Sequence, residues 1–244
     1  MSPNAASYDQ YRHGIRDNLY QFGHQLGQVF LVGLTIGMMR TVVPALAEDE
    51  FGVSQGSFMM LTSFVVAFGL VKGVMNFVAG RLAERLGRKK VLLFGWLFAI
   101  PIPVMVLFAP SWGWIVAATV LLGINQGLCW SMTQTAKMDI TRSDERGLTM
   151  GLNEFSGYVG VAIAGVLTGY LAVGLGPRFG LFLFGAVVIS LAIVLTLLAI
   201  QETHNWAKAE SARHASAVKT GPQARLPKNI SDNPSTLAVF TLMS

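Results

Sequence analysis

The sequence predicts an all-α membrane protein: six transmembrane helices arranged as a 3+3 inverted repeat. Three observations carry this expectation. Apolar runs recur at residues 26–47, 56–80, 90–109, 113–136, 148–172 and 179–200. Lysine and arginine gather on one side of those runs. A ten-residue pattern that starts at Gly80 returns at Gly169, three runs later.

Composition supports the lipid assignment. Hydrophobic residues make up 52% of the 244 residues and charged residues only 13%, with a mean hydropathy of +0.52. A soluble domain carries about 25% charged residues. Each run is about 20 residues long, enough for a helix to cross a hydrocarbon layer of ~30 Å. Strands of a membrane barrel need only about ten alternating residues, and these runs are continuous, so helices are expected. The polar stretch ahead of residue 26, with no small-residue cleavage site closing the first run, argues against a cleaved signal peptide. The single cysteine, Cys129, lies within the fourth run, so there is no disulfide framework.

Orientation follows from the positive charges between spans. With the N-terminus inside, fifteen of the eighteen Lys and Arg residues are internal: Arg12 and Arg16, the cluster at 81–90, the loop at 137–146 and the tail after 200. Only Arg178 falls in an outer loop, and the first outer loop carries Glu48, Asp49 and Glu50. Trp112 and Trp114 mark the outer entry of the fourth span, where amphipathic rings favour the interface. Both termini are therefore expected in the cytoplasm, in a multi-pass protein of the plasma (inner) membrane. The pI of about 9.6 belongs to these inner loops and does not call for nucleic acid as a partner.

The echo is specific. Gly80-x-Leu82-Ala83-x-x-Leu86-Gly87-x-Lys89 joins the second and third spans, and Gly169-x-Leu171-Ala172-x-x-Leu175-Gly176-x-Arg178 joins the fifth and sixth. Three helices separate the copies, so they face opposite sides of the membrane, as an inverted repeat requires. The outer copy has lost its charges: Val173 and Gly174 stand where the inner one has Glu84 and Arg85. Gly33/Gly37, Gly69/Gly73, Gly123/Gly127 and Gly165/Gly169 place GxxxG pairs in or at the end of spans one, two, four and five, where helix backbones can approach closely. Spans three and six have no such pair in their interiors.

The stretch from Gly80 to Lys90 resembles the signature loop between helices 2 and 3 of the major facilitator superfamily, with Glu84 where the family usually has Asp. The segment from Asp139 to Arg146-Gly147 resembles the acidic-to-Arg-Gly loop that accompanies it. The resemblance implies half of a twelve-helix transporter fold in which helices 1, 2, 4 and 5 line or flank the cavity. It also implies a conformational latch, here Gly80, Glu84, Arg85, Gly87, Arg88, Asp139 and Arg146. The sequence departs from proton-coupled members at Gly123, where an arginine precedes the pair Gln126-Gly127. It also lacks the glycine-proline signature of drug/proton antiporters, having Asn153 to Tyr158 in its place. Arg40…Pro44 with Ala67-Phe68-Gly69-x-x-Lys72 resembles the organophosphate/phosphate antiporters of the same superfamily.

Three charges are expected within the membrane: Arg40, Lys72 and Glu154. Ionisable groups at depth cost at least ~2.5–3.5 kcal/mol on the insertion scale, which makes each a candidate site residue. Counting 1.5 Å per residue, Lys72 lies about 12 Å, Glu154 about 9 Å and Arg40 about 20 Å from the inner face. Two cations against one acid leave a positive cavity, suited to an anionic solute held by an arginine fork and a lysine point charge. Asn76 and Gln126 add polar groups, which completes the candidate substrate site of Arg40, Lys72, Asn76, Gln126 and Glu154. A structural Lys72–Glu154 ion pair with an outward-snorkelling Arg40 fits the same sequence. His13, His24, His204 and His214 lie outside the expected spans.

The domain reading is a cytoplasmic segment over 1–20, a bundle over 21–200, a polar cytoplasmic linker over 201–235 and the start of a seventh helix over 236–244. The leading functional expectation is a secondary active transporter of a small anionic solute, working by alternating access with a second six-helix half or another copy. A coupling ion is compatible with this reading, the lipid bilayer is the surrounding partner, and no cofactor or metal is expected. The alternatives are a half-size, non-transporting membrane protein (an assembly or sensor subunit, or a remnant) and an exporter of drug-like compounds. An enzyme is disfavoured, because no His, Asp, Cys or Ser cluster with catalytic spacing occurs near a membrane face.

Overall fold

Helix α1 (Leu19–Asp49) begins ahead of its apolar run, because the polar residues Gln21, Gln25 and Gln28 are buried against other helices rather than left in water. It is followed by α2 (Phe58–Leu86), α3 (Arg88–Ala99), α4 (Pro101–Leu107), α5 (Trp112–Ile140), α6 (Arg146–Leu175), α7 (Pro177–Leu198) and α8 (His204–Thr220). This computed structural model describes residues 11–52 and 58–220. The expectations for 1–10, 53–57, the end of the polar linker and the apolar run at 236–244 lie outside the described residues. Among the described residues six segments are long and apolar enough to cross a membrane, α3 and α4 together making the third.

Boundaries differ from the sequence reading in four places. His24 is inside α1, not before the span. Residues 81–86 continue α2 as helix, so the turn shrinks to Gly87, whose φ of 88° only glycine adopts at low cost. The third span is broken at Pro101, which has no N–H to give; Ile100 turns its own N–H to Leu97 O at 3.3 Å. Finally, α5 runs on to Ile140, so Lys137 and Asp139 are helical and buried instead of lying in a loop. Part of the expected linker is α8, a polar helix.

The bundle is held by close backbone approach, as expected where lipid supplies no hydrophobic drive between helices. α1 packs along α6, and α2 along α5. At the first seam a side chain on Gly33 or Gly37 would run into the α6 backbone at Gly157 or Val161, and one on Gly160 into Phe30 O. At the second, Gly123 and Gly127 meet Val71 and Met75 of α2. Gly69, Gly73 and Gly169 meet nothing within 4 Å, so those members of the expected GxxxG set do not pack helices in this chain. Most of α2 and much of α6 face outward from the bundle.

Buried polar groups fasten the remaining helices. Gln28 of α1 donates to Ala192 O at 2.9 Å and Thr196 Oγ1 at 2.8 Å on α7, and accepts from Trp96 Nε1 of α3 at 2.9 Å. Asn125 donates to Gly95 O at 3.0 Å, tying α5 to α3. In a medium without water each such bond matters, because an unmet polar group has no solvent to turn to. At the opposite end of the bundle from Gly87, Arg178 pairs with Glu50 at 2.6 Å and donates to Leu107 O and Ala109 O, joining the ends of α1, α4 and α7.

Candidate solute site and inner latch

Trp130 organises the centre of the candidate site. Its indole N–H donates to Glu154 Oε1 at 3.0 Å, and its ring stands edge-on to Tyr158 with centroids 5.9 Å apart. Gly157 makes the room: a Cβ there would strike the indole ring. The Lys72 ammonium sits 4.9 Å from the Trp130 ring centroid and 5.8 Å from that of Phe68. This is cation–π range, with the ammonium facing the electron-rich rings.

Lys72 and Glu154 therefore do not form the direct ion pair that the sequence allows; no contact within 4 Å joins them. Glu154 Oε1 is engaged by Trp130 and by Asn153 Nδ2 at 2.9 Å. Arg40 is exposed and lines a small recess with Ile36, Val65, Phe68 and Leu122. Phe68 borders both cations, and Lys72 feels the charges of Glu154 and Arg40 together. Asn76, one turn along α2 from Lys72, accepts from Ser131 Oγ at 3.0 Å and is exposed. Gln126 lies apart from this group. It is fully buried and donates to Val32 O at 3.0 Å and Thr35 Oγ1 at 2.9 Å, clamping α5 to α1.

Sequence reasoning missed two residues here. Trp130 reads as one more apolar residue in a span; only its i+4 step from Gln126 marks it. Lys137 counts as a loop residue by charge alone, yet it is fully buried and donates to Gln25 O at 3.1 Å.

The end of the bundle where α2 meets α3 carries a second cluster. Arg88 Nε donates to Asp139 Oδ2 at 2.8 Å, and Thr203 Oγ1 donates to the same oxygen at 2.8 Å. Arg88 Nη1 donates to Ala83 O and to His204 Nδ1, the latter at 2.6 Å. Arginine has no lone pair to offer, so His204 Nδ1 is the acceptor and carries no proton. Burial first, then the nearby Arg88 and Lys208 charges, holds His204 below its ordinary range, against the opposite pull of Glu202 and Asp139. Glu202 caps α3 from a distance in sequence: Oε1 accepts from Arg88 N at 2.9 Å and Oε2 from Lys89 N at 3.1 Å. Free N–H groups and the positive end of the helix dipole favour a carboxylate there.

Arg146 Nη2 donates to both carboxylate oxygens of Glu210 on α8, at 2.6 and 2.7 Å. The expected latch residues thus divide. Gly87, Arg88, Asp139 and Arg146 are bound up with α8 and its approach. Gly80, Glu84 and Arg85 are exposed, and among the described residues neither Glu84 nor Arg85 has an ion-pair partner. The segment before α1 joins the same cluster, since Trp206 Nε1 donates to Arg12 O at 3.1 Å and Tyr11 stacks edge-on against Trp206. Hence the N-terminal segment and α8 share one face of the bundle.

A bundle with six segments long and apolar enough to cross a membrane defines a multi-pass membrane protein. The chain belongs to the Major Facilitator Superfamily, whose family model matches residues 26–244. It is similar to the transporter paaT of Penicillium rubens, with 28% identity over 64% of this chain and 28% of that protein. It also resembles the class E tetracycline resistance protein of Escherichia coli, with 26% identity over 72% of this chain and 43% of that protein. The crystal structure of a peptide transporter POT in complex with alafosfalin superposes with a TM-score of 0.61 at 13% identity, covering 99% of this chain and 50% of that one. The chain spans less than half the length of these curated relatives.

Proposed function

We propose that the chain forms a six-helix half of a secondary transporter that carries a small anionic solute by alternating access, completed by a second half or another copy. The observation that carries this reading is Lys72. It stands at depth on the open side of α2, with rings rather than a carboxylate beside it and a second cation, Arg40, across Phe68. An intramembrane cation with no carboxylate in direct contact is costly, and a passing anion can supply that contact. Glu154 acts on Lys72 through its charge but makes no direct ion pair with it, its Oε1 accepting from Trp130 and Asn153 instead.

The half-repeat belongs to the same proposal. Gly87 and Gly176 hold the same unusual backbone, φ 88° and ψ 163° against φ 81° and ψ 151°. The seams α1–α6 and α2–α5 exchange under a rotation that maps spans one to three onto four to six. Both observations support a 3+3 inverted arrangement. On the inner side, which we take as cytoplasmic from the distribution of Lys and Arg, Glu84 and Arg85 are the free part of the latch that meets the facing half. Arg88, Asp139 and Arg146 hold its base.

The test is transport in vesicles by the protein as expressed, comparing wild type with Lys72→Ala and Arg40→Ala over a panel of radiolabelled anions. Loss of anion transport in both variants, with normal membrane insertion, is the expected result. Unchanged transport of every anion in both would overturn the anionic reading. A second reading, export of a drug-like compound, draws on the tetracycline resistance relative, and the same vesicles loaded with tetracycline test it.

A further inference from the structure

We infer that the solute of this site is an organic anion with a flat apolar body, its oxyanion on Lys72 and its body against the aromatic wall of Phe68, Trp130 and Tyr158. The inference rests on the anion-site reading above and narrows it to a substrate class. Three features of the site lead to it.

First, the Lys72 ammonium rests on two rings, a weaker hold than a charge-assisted hydrogen bond to an oxyanion. An arriving carboxylate therefore draws the ammonium off the indole and uncovers the ring. Second, the indole cannot follow. Its N–H is tied to Glu154, its edge is wedged against Gly157, and Tyr158 stands across it. The result is a fixed aromatic face beside the bound anion, and a flat apolar group is what covers such a face. Third, the neighbouring recess that holds Arg40 is walled by Ile36, Val65, Phe68 and Leu122. A bare inorganic anion meets the cations but leaves these surfaces wet. A neutral apolar molecule covers them but leaves the ammonium on the rings.

The test is isothermal titration of the whole chain in lipid nanodiscs with 2-naphthoate, acetate, inorganic phosphate and neutral 2-naphthalenemethanol. The expected order places 2-naphthoate about tenfold or more ahead of the other three. Lys72→Gln is expected to abolish the naphthoate advantage over the alcohol. Phe68→Leu, at a ring only partly buried, is expected to weaken naphthoate several-fold more than acetate. Acetate or phosphate binding as tightly as naphthoate, and lost in Lys72→Gln, would overturn the aromatic class while leaving the anion site intact. The alcohol binding as tightly as naphthoate, with Lys72→Gln without effect, would overturn the anion site itself. Failure of naphthoate to bind at all would also overturn the inference.

Discussion

The indole N–H of Trp130 donates to Glu154 Oε1 at 3.0 Å while the Lys72 ammonium stands 4.9 Å from the centroid of the same ring, so one side chain meets both the acid and the cation. Two outcomes follow for Glu154. Glu154→Gln keeps an acceptor for Trp130, so stability is expected to change by less than about 1 kcal/mol. Glu154→Ala strands the indole N–H of a buried Trp130 and is expected to cost about 1–3 kcal/mol. Thermal unfolding of the two variants in one detergent separates them; equal losses would mean that the Trp130 bond does not hold the site.

Glycine positions that look alike in sequence differ in consequence. Gly33→Ala pushes a methyl into the α6 backbone at Gly157 and is expected to destabilise by about 1–3 kcal/mol. Gly69→Ala meets open space and is expected to be neutral or slightly stabilising in this chain, through a better helix former. Comparing the two melting curves checks whether α1–α6 is the seam that matters.

The inner ion pairs are ranked by burial. Asp139→Ala leaves Arg88 buried without its counter-charge and is expected to cost about 3–5 kcal/mol. Glu210→Ala breaks a pair whose side chains are 36% and 25% exposed, and is expected to cost about 1 kcal/mol or less. Chemical denaturation of each variant gives the order, and a larger loss for Glu210→Ala would reverse the account.

Acid is expected to loosen α8. His204 is held below its ordinary value of about 6.5, chiefly by burial and by the Arg88 guanidinium, so docked α8 prefers the neutral ring. The released segment binds the proton more readily, and docking is therefore favoured above about pH 6.5 and lost progressively as pH falls through the docked value. The facing charges are Arg88, Lys208, Glu202 and Asp139. Hydrogen exchange of α8 amides at several pH values, corrected for intrinsic rates, is expected to quicken on the acid side in wild type and to respond less in His204→Gln. An equal acid response in both would assign it to a carboxylate instead.

What the sequence made legible follows from which forces it displays. Apolar runs show lipid contact, so all six spans are visible, and Gly80 to Lys90 shows its turn through glycine and charge. Helix ends are hidden because charge alone does not end a helix: Arg81 to Leu86 are good helix formers, and Lys137 and Asp139 find partners in Gln25 and Arg88 that let α5 continue. Trp130 and Gln126 show the other limit. They lie one turn apart on the same helix, yet Gln126 meets α1 and Trp130 meets α6, because two neighbours cross that face at different depths. Helical phase places a residue on a face; only the crossing of the helices tells what it touches. α8 was invisible as a partner of the bundle, since its contacts run through Glu202, Thr203 and His204, polar residues in a polar stretch.

The anion site is tested most sharply by the electrostatic preference of a thiol placed beside Lys72. Cys129 is fully buried, so Asn76→Cys supplies the exposed thiol on the same face of α2, and Cys129→Ser in the same background removes any residual reaction. An anionic thiosulfonate is expected to label Cys at 76 faster than a cationic one, relative to their rates with free thiol, and Lys72→Gln is expected to erase the difference. Equal rates for the two reagents, or a preference that survives Lys72→Gln, would contradict an anion site built on Lys72.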